Sequence, residues 1–357
     1  MSRAKTTVLS VVTILLGLAI AFLLGEIFLR IYQQVNPTFV FPDRSYNRFR
    51  GKPYADDYDF KLNSRGFKDV EFETTKKPGF IRIIGIGDSF VFGIVPYKYN
   101  FLTLLEERLR SDGMPVEIIN MGIPGTSPRE YLSVYLHEAI DLKADIILLC
   151  LFVGNDFEET KRPPLIQSYV ASLIRYFVVK QKHWKGNVIH GAKDYNDEQP
   201  DMSEDKYLGI ETQRSHVFRR RNAQFERTFK NSVLYVKEMH DLCRQQRCQL
   251  VVVAMPDEMQ VNDDLQKKVM SQVDTVKPDE WDFGLPNRLL ASELETLGIT
   301  FIDLLDAFKT VSQDRRLYRP QDSHWNIAGN RLAAEVLARH LSSTLCGGGR
   351  CGVLGKE

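Results

Sequence analysis

Three runs of this chain, residues 81–86, 144–153 and 249–255, are apolar at nearly every position and lack the alternation of a strand with one wet face. Segments so short and so uniformly apolar belong in the middle of a sheet covered on both sides. Helical periodicity separates them. Residues 101–109 set Leu102, Leu104, Leu105 and Leu109 at helical spacing, and residues 130–140 and 223–247 also read as helices. Two shorter strands are expected at 116–120 and 300–304, and a last helix at 327–342 with Asn326 as its cap. Strand and helix in alternation predict an α/β domain of three layers, α/β/α, around a parallel sheet. Such sheets keep their ligand sites beyond the carboxyl ends of the strands.

The N-terminus obeys a different rule. No charged residue occurs from Thr6 to Gly25, and Leu, Ile, Val and Ala dominate. That is about twenty residues, or roughly 30 Å of helix, the thickness of a bilayer's hydrocarbon core. The run has no polar stripe of the kind a surface helix carries. It continues through Phe22, Leu23 and Leu24 past the signal-peptidase-like Ala19-Ile20-Ala21, which favours an uncleaved single-pass anchor. Arg3 and Lys5 precede it, and Arg30, Arg44, Arg48, Arg50 and Lys52 follow. Long translocated domains often disregard such charges, so the domain is expected on the periplasmic or extracellular side.

The expected organisation is an anchor at 1–31, a polar stalk and lead-in segment at 32–79, a domain at 80–345 and a flexible tail at 346–357. An insertion without a core strand interrupts the domain at about 158–215. Within it, residues 164–180 have a helical pattern, with Leu165, Ile166, Tyr169, Val170, Leu173, Ile174 and Phe177 along one side and Lys180, Lys182 and Lys185 near or beyond its end. A helix packed on the domain, a lid and a helix lying on the membrane all fit that pattern. Residues 193–205 are polar and acidic and read as a mobile loop.

With 357 residues, 43% of them hydrophobic, and a formal net charge of +1, the chain can bury a large core and has no bulk attraction to nucleic acid. Its one dense basic run, Arg219-Arg220-Arg221, reads as the solvated face of a helix. Of the five cysteines, Cys150 reads as a buried hydrophobe. Cys243 with Cys248, and Cys346 with Cys351, could each close a short loop in an oxidising compartment. No Cys/His spacing suggests zinc, and neither metal nor cofactor is expected.

Four strand ends or helix starts carry residues suited to chemistry. Gly87-Asp88-Ser89 puts a hydroxyl where a strand turns into a helix, with a free backbone N–H and a favourable helix dipole. Asn120-Met121-Gly122-Ile123-Pro124-Gly125 lets backbone approach a ligand. Gly154-Asn155-Asp156 offers a side-chain amide. Asp322-Ser323-His324-Trp325-Asn326 supplies a base and an acid to hold its tautomer. Each alone is also an ordinary turn or cap. Of the seven histidines, only His324 has such company. Trp325, Phe92 and Phe157 are near enough in sequence to line a pocket.

In this order, the Ser, Gly, Asn and His segments resemble the SGNH hydrolase superfamily, also called GDSL esterases, over about residues 81–341 outside the insertion. The resemblance implies the flavodoxin-like parallel sheet of the SGNH hydrolase fold, preceded here by one transmembrane helix. It implies Ser89 as nucleophile, His324 as general base and Asp322 as the acid that orients it. The N–H groups of Ser89 and Gly125 and the side chain of Asn155 would form the oxyanion hole. The implied reaction is hydrolysis of an O-acyl ester, either acetyl on a carbohydrate or a lipid ester, through an acyl-serine. Phe90 stands where the family text has Leu, and Asp-x-His replaces the common Asp-x-x-His. That shorter spacing resembles the membrane-associated branch with the alginate-type polysaccharide O-acetyltransferases. The nearer alternative is therefore an O-acetyltransferase working with envelope polysaccharide machinery, and the further one a non-catalytic carbohydrate-binding protein.

Overall fold

The computed structural model describes residues 3–35, 53–158, 168–171, 173–174 and 193–347. Two units divide the chain, residues 1–49 with 161–187 and residues 50–160 with 188–357. In the first, helix α1 (Arg3–Val35) contains a stretch, Lys5–Tyr32, of mean hydropathy 2.7 that is long and apolar enough to cross a membrane. Glu26 of α1 accepts hydrogen bonds from Ser168 Oγ at 2.9 Å and from the backbone N–H groups of Tyr169 and Val170 at 3.0 Å. Its carboxylate thus caps the described part of the helix expected at 164–180. The rest of that segment, with Lys180, Lys182 and Lys185, lies outside the described residues.

The second unit follows the order β1 (Ile81–Gly87), α2 (Ser89–Phe92), α3 (Phe101–Ser111), β2 (Val116–Gly122), α4 (Pro128–Val134) and β3 (Ile146–Phe152). It continues with α5 (Glu204–Arg214), α6 (Ala223–Gln246), β4 (Gln249–Met255), α7 (Asp263–Ser271), α8 (Leu285–Thr296), β5 (Thr300–Asp303), α9 (Leu305–Ser312) and α10 (Ile327–Gly347). The five strands of this sheet are all parallel, in the order β2-β1-β3-β4-β5, and a short antiparallel pair, Asp56–Asp57 with Phe60–Lys61, precedes it. Every residue of β1 and β3 is buried, as their uniform apolar runs require. Ile81, Ile83, Leu148, Cys150, Val251 and Val253 join the core beneath α3 and α10, which pack on each other. Helices α4 and α6 pair as the covering layer of the opposite face.

Several expectations change. The helix expected at 130–140 ends at Val134 and widens into a π turn over Tyr135–Ala139, which seats Tyr135, Glu138 and Ala139 in the interior. Arg219-Arg220-Arg221 is no helix face. Arg219 bridges to Trp281 and lies over its ring at 5.1 Å, Arg220 pairs with Asp282 at 3.1 Å, and Arg221 takes φ 57° in the turn before α6. Nor is the stretch at 193–205 loose. Asp201 N donates to Pro320 O at 3.3 Å, Ile327 N to the Asp197 carboxylate at 3.3 Å, and Arg316 pairs with Glu198. Three of its charges, Asp197, Glu198 and Asp201, meet the loop before α10 or its first residue, and Glu204 pairs with Lys268 of α7. Cys243 and Cys248 are free thiols, as is buried Cys150. The Cys346 side chain and Cys351 lie outside the described residues.

The second half of the expected stalk is packed onto the domain. Leu62, Phe67, Lys68 and Asp69 are buried. Lys68 Nζ donates to Gly93 O at 2.8 Å and Val95 O at 2.5 Å, and pairs with Asp57 at 2.5 Å, with both side chains fully buried. Those carbonyls belong to the loop leaving α2. Asp69 accepts from Asn120 N at 2.7 Å on the edge strand β2, and burial pushes its carboxyl up to about 7.

Replacing one partner of a buried ion pair leaves the other charge unpaired and costs about 3–5 kcal/mol. Lys68→Met is therefore expected to lower the urea midpoint by that equivalent. A loss below about 1 kcal/mol would mean that the pair does not hold the lead-in segment.

Candidate active site

The strand register sets the site. Gly87 and Gly122 end β1 and β2 side by side, and Ile123 N donates to Gly87 O at 3.0 Å. A Cβ on Gly122 would overlap the backbone nitrogen of Phe92, so only glycine lets β2 close against α2. Ser89 opens α2, capped by Asp88, whose Oδ1 accepts from Phe90 N at 2.9 Å. The helix is four residues long and stops at Gly93. The expected dipole is therefore that of a single turn, and what α2 contributes is the placement of the hydroxyl.

The loop before α10 meets it there. His324 Nε2 lies 2.7 Å from Ser89 Oγ, although the two residues are 235 positions apart. His324 Nδ1 lies 2.6 Å from Asp322 Oδ1, which also accepts from His324 N at 3.1 Å. A carboxylate accepts only, so Nδ1 carries the proton and Nε2 is left to accept from the hydroxyl. The imidazole is also seated on an aromatic floor. The Phe90 ring is 5.1 Å from it and stacks on Phe152 at 4.2 Å. The residue that departs from the family text thus supports the histidine.

The other oxygen of Asp322 is held as well. Arg319 Nη1 donates to Asp322 Oδ2 at 2.6 Å. Burial alone would raise the Asp322 carboxyl, but the charge of His324, its hydrogen bonds and Arg319 hold it at about 2. The loop is closed by backbone bonds from Arg319 N to His324 O, 2.9 Å, and from Asn326 N to Leu317 O, 3.0 Å. Asn326 caps α10 through Gly329 N at 2.9 Å. Ser323, between acid and base, accepts from Arg214 Nη1 at 2.8 Å.

Asn155 follows β3, and its Nδ2 donates to Asp88 Oδ2 at 3.2 Å. The segment's acid thereby fixes the amide beside Ser89. Burial pushes Asp88 above the usual carboxylate range. Asp156 instead closes its own turn, accepting from Phe152 N at 2.8 Å and Tyr131 OH at 2.6 Å. Gly125 is exposed on the loop after β2, with φ 71°, a conformation suited to glycine. Phe92, Phe157 and Trp325 belong to the core. All are buried, Phe157 against Phe225 and Phe229, and Trp325 against Phe90, Phe101 and Phe308. The sequence reading did not single out Arg319 and Arg214. Arg319 lies three residues before Asp322, but nothing in its neighbourhood distinguishes it from a surface arginine. Among the described residues, no group of three or more His, Cys, Asp or Glu could hold a metal.

Residues 214–350 match the family described as SGNH hydrolase-like domain, acetyltransferase AlgX. This segment holds Asp322 and His324 but not Ser89, and is under half of the 357 residues. The α/β/α domain is SGNH hydrolase-like in this sense. Among solved structures, the acetyl xylan esterase AlAXEase is similar at 16% identity and TM-score 0.43, covering 73% of this chain and 100% of its own. A lipase/acylhydrolase from Enterococcus faecalis has 12% identity and TM-score 0.42, over 74% and 96%. A catalytic mutant of an acetylxylan esterase from Geobacillus stearothermophilus has 12% identity and TM-score 0.41, over 73% and 94%. Likeness at this level transfers no activity. No curated protein matches the chain.

Because the Asp322 carboxyl is depressed from 3.8 to about 2, its ionisation stabilises the fold by about 2 kcal/mol above the ordinary value. That contribution is lost as pH falls through the folded value. Asp322→Asn is expected to be less stable than the parent at pH 7, with the gap in urea midpoint narrowing between about pH 4 and pH 2. A gap constant across that window would contradict an ionised, paired Asp322.

Proposed function

We propose that this protein is a serine esterase that cleaves an O-acyl ester through an acyl-serine, with Ser89 as nucleophile, His324 as general base and Asp322 as its orienting acid. The observation that carries this is the continuous hydrogen-bonded chain from hydroxyl to imidazole to carboxylate, at 2.7 and 2.6 Å. His324 takes the proton as Ser89 Oγ bonds to the ester carbonyl carbon. The developing oxyanion would be held by the N–H groups of Ser89 and Gly125 and by Asn155, whose other amide hydrogen is on Asp88. The tetrahedral centre collapses, the alcohol leaves with the proton from His324, and water attacks the acyl-serine with His324 again as base.

The substrate class favoured is an acetylated carbohydrate. Support comes from the AlgX description of the matching family, which names an acetyltransferase. The same description favours a second reading, in which a sugar hydroxyl replaces water in deacylation. The apolar α1 suits a membrane anchor with the domain outside the cytoplasm, where envelope glycans are found.

In detergent, the full-length protein is expected to hydrolyse p-nitrophenyl acetate faster than palmitate, and Ser89 to react with a fluorophosphonate. Ser89→Ala should lower kcat/KM by about 10⁴–10⁶ and Asn155→Ala by about 10²–10³. Ser89→Ala with near-parental activity would refute the assignment. Acetylated oligosaccharide formed from an acetyl donor and a glycan acceptor would mark transferase chemistry, and free acetate alone would mark an esterase.

A further inference from the structure

We propose that Arg319 is a positioning residue for this reaction, pinning the outer oxygen of Asp322 and so setting how firmly His324 holds a proton. The inference rests on the acyl-serine reading. Arg319 is 7% exposed, and its Nη1 is 2.6 Å from Asp322 Oδ2, while Oδ1 serves His324. The two oxygens are therefore divided between a cation and the base. Its backbone N–H also bonds to His324 O, so one residue grips both ends of the Asp-Ser-His turn.

A structural role alone is a poor account of this pair. Asp322 already accepts from both the ring and the backbone of His324, and burying a guanidinium has a large desolvation cost. A permanent positive charge in contact with the acid does one thing that a neutral donor cannot. It weakens the field with which the carboxylate stabilises an imidazolium, so that His324 stays in its basic form to lower pH.

The surroundings are arranged to hold the guanidinium there. Its plane lies over Tyr195 at 5.6 Å, Tyr195 packs edge-on against Tyr58 at 5.2 Å, and Asp201 is 3.9 Å from Nη2. Residues 195–201, in the second half of the insertion, thus form one wall of the support for the acid. The other charged or titratable groups facing the pair are Glu258 after β4, Asp88 at β1 and Arg214 through Ser323. Arg214 faces Glu211 at 3.5 Å, whereas Arg319 is the cation in direct contact with Asp322.

The test measures the protonation of His324 without requiring turnover, from the pH dependence of its carbethoxylation by diethylpyrocarbonate, read by peptide mass spectrometry on the full-length protein. Arg319→Met is expected to move the midpoint up by about 1 pH unit. The acidic limb of kcat/KM should follow, with about a tenfold loss of rate at the optimum. Arg319→Lys keeps the charge and should restore the midpoint while recovering only part of the rate. Asp201→Asn removes an anion from the far side and should shift the midpoint down by a few tenths at low ionic strength. A cooperatively melting Arg319→Met with an unmoved midpoint, or a Lys variant shifted as far as Met, overturns the proposal. If the Met variant does not melt cooperatively, an unmoved midpoint in Asp201→Asn overturns it. Failure of Ser89 to react with a fluorophosphonate in the parent would instead refute the acyl-serine reading.

Discussion

The site depends on β1 lying between two parallel partners in register. Gly85 faces Asn120 of β2 on one side and Leu148 of β3 on the other, so the three strands finish at one rim of the sheet. Strand order reverses at β1, and the loops leaving β2 and β3 diverge around it, opening a crevice at their carboxyl ends. Ser89, Gly125 and Asn155 all follow strands that end there. The fourth component comes from elsewhere, because α10 packs against α3 and brings the loop before it over the same rim.

Three buried cations brace that arrangement, each paired with an acid. Arg82, in the apolar run of β1, pairs with Glu117 at 2.7 Å and donates to the carbonyls of Glu73, Thr74, Thr75 and Leu142. Lys68 does the same for the carbonyls beyond α2, and Arg319 for Asp322. A charge removed from water is tolerated only when the protein replaces its hydration. Arg82 and Lys68 together clamp the lead-in segment to both ends of β1, so residues 53–79 support the strand that presents Ser89.

The parts legible in the sequence were those set by local pattern. Uniform apolar runs marked β1, β3 and β4 closely, since a strand covered on both faces has no other composition. Short helices were not legible. In α7 only Leu265 and Val269 are buried, too few positions to reveal a period. The π turn after Val134 and the anchoring of the acidic stretch at 193–201 were missed for a related reason. Both depend on partners far along the chain, and polarity by itself does not distinguish a solvated charge from a paired one.

The sequence by itself determined the sheet, its strand ends and the types of residue stationed at them, because burial and turn chemistry act on neighbours along the chain. It also determined the apolar span of α1, for which length and composition suffice. Only the tertiary structure decided that the hydroxyl at 89 and the imidazole at 324 lie within hydrogen-bond distance, that Phe92, Phe157 and Trp325 are core, and that Arg319 faces Asp322. The first of these depends on packing between segments 235 residues apart, and the others on which way each side chain turns in the folded chain; packing sets both, and local pattern does not encode them.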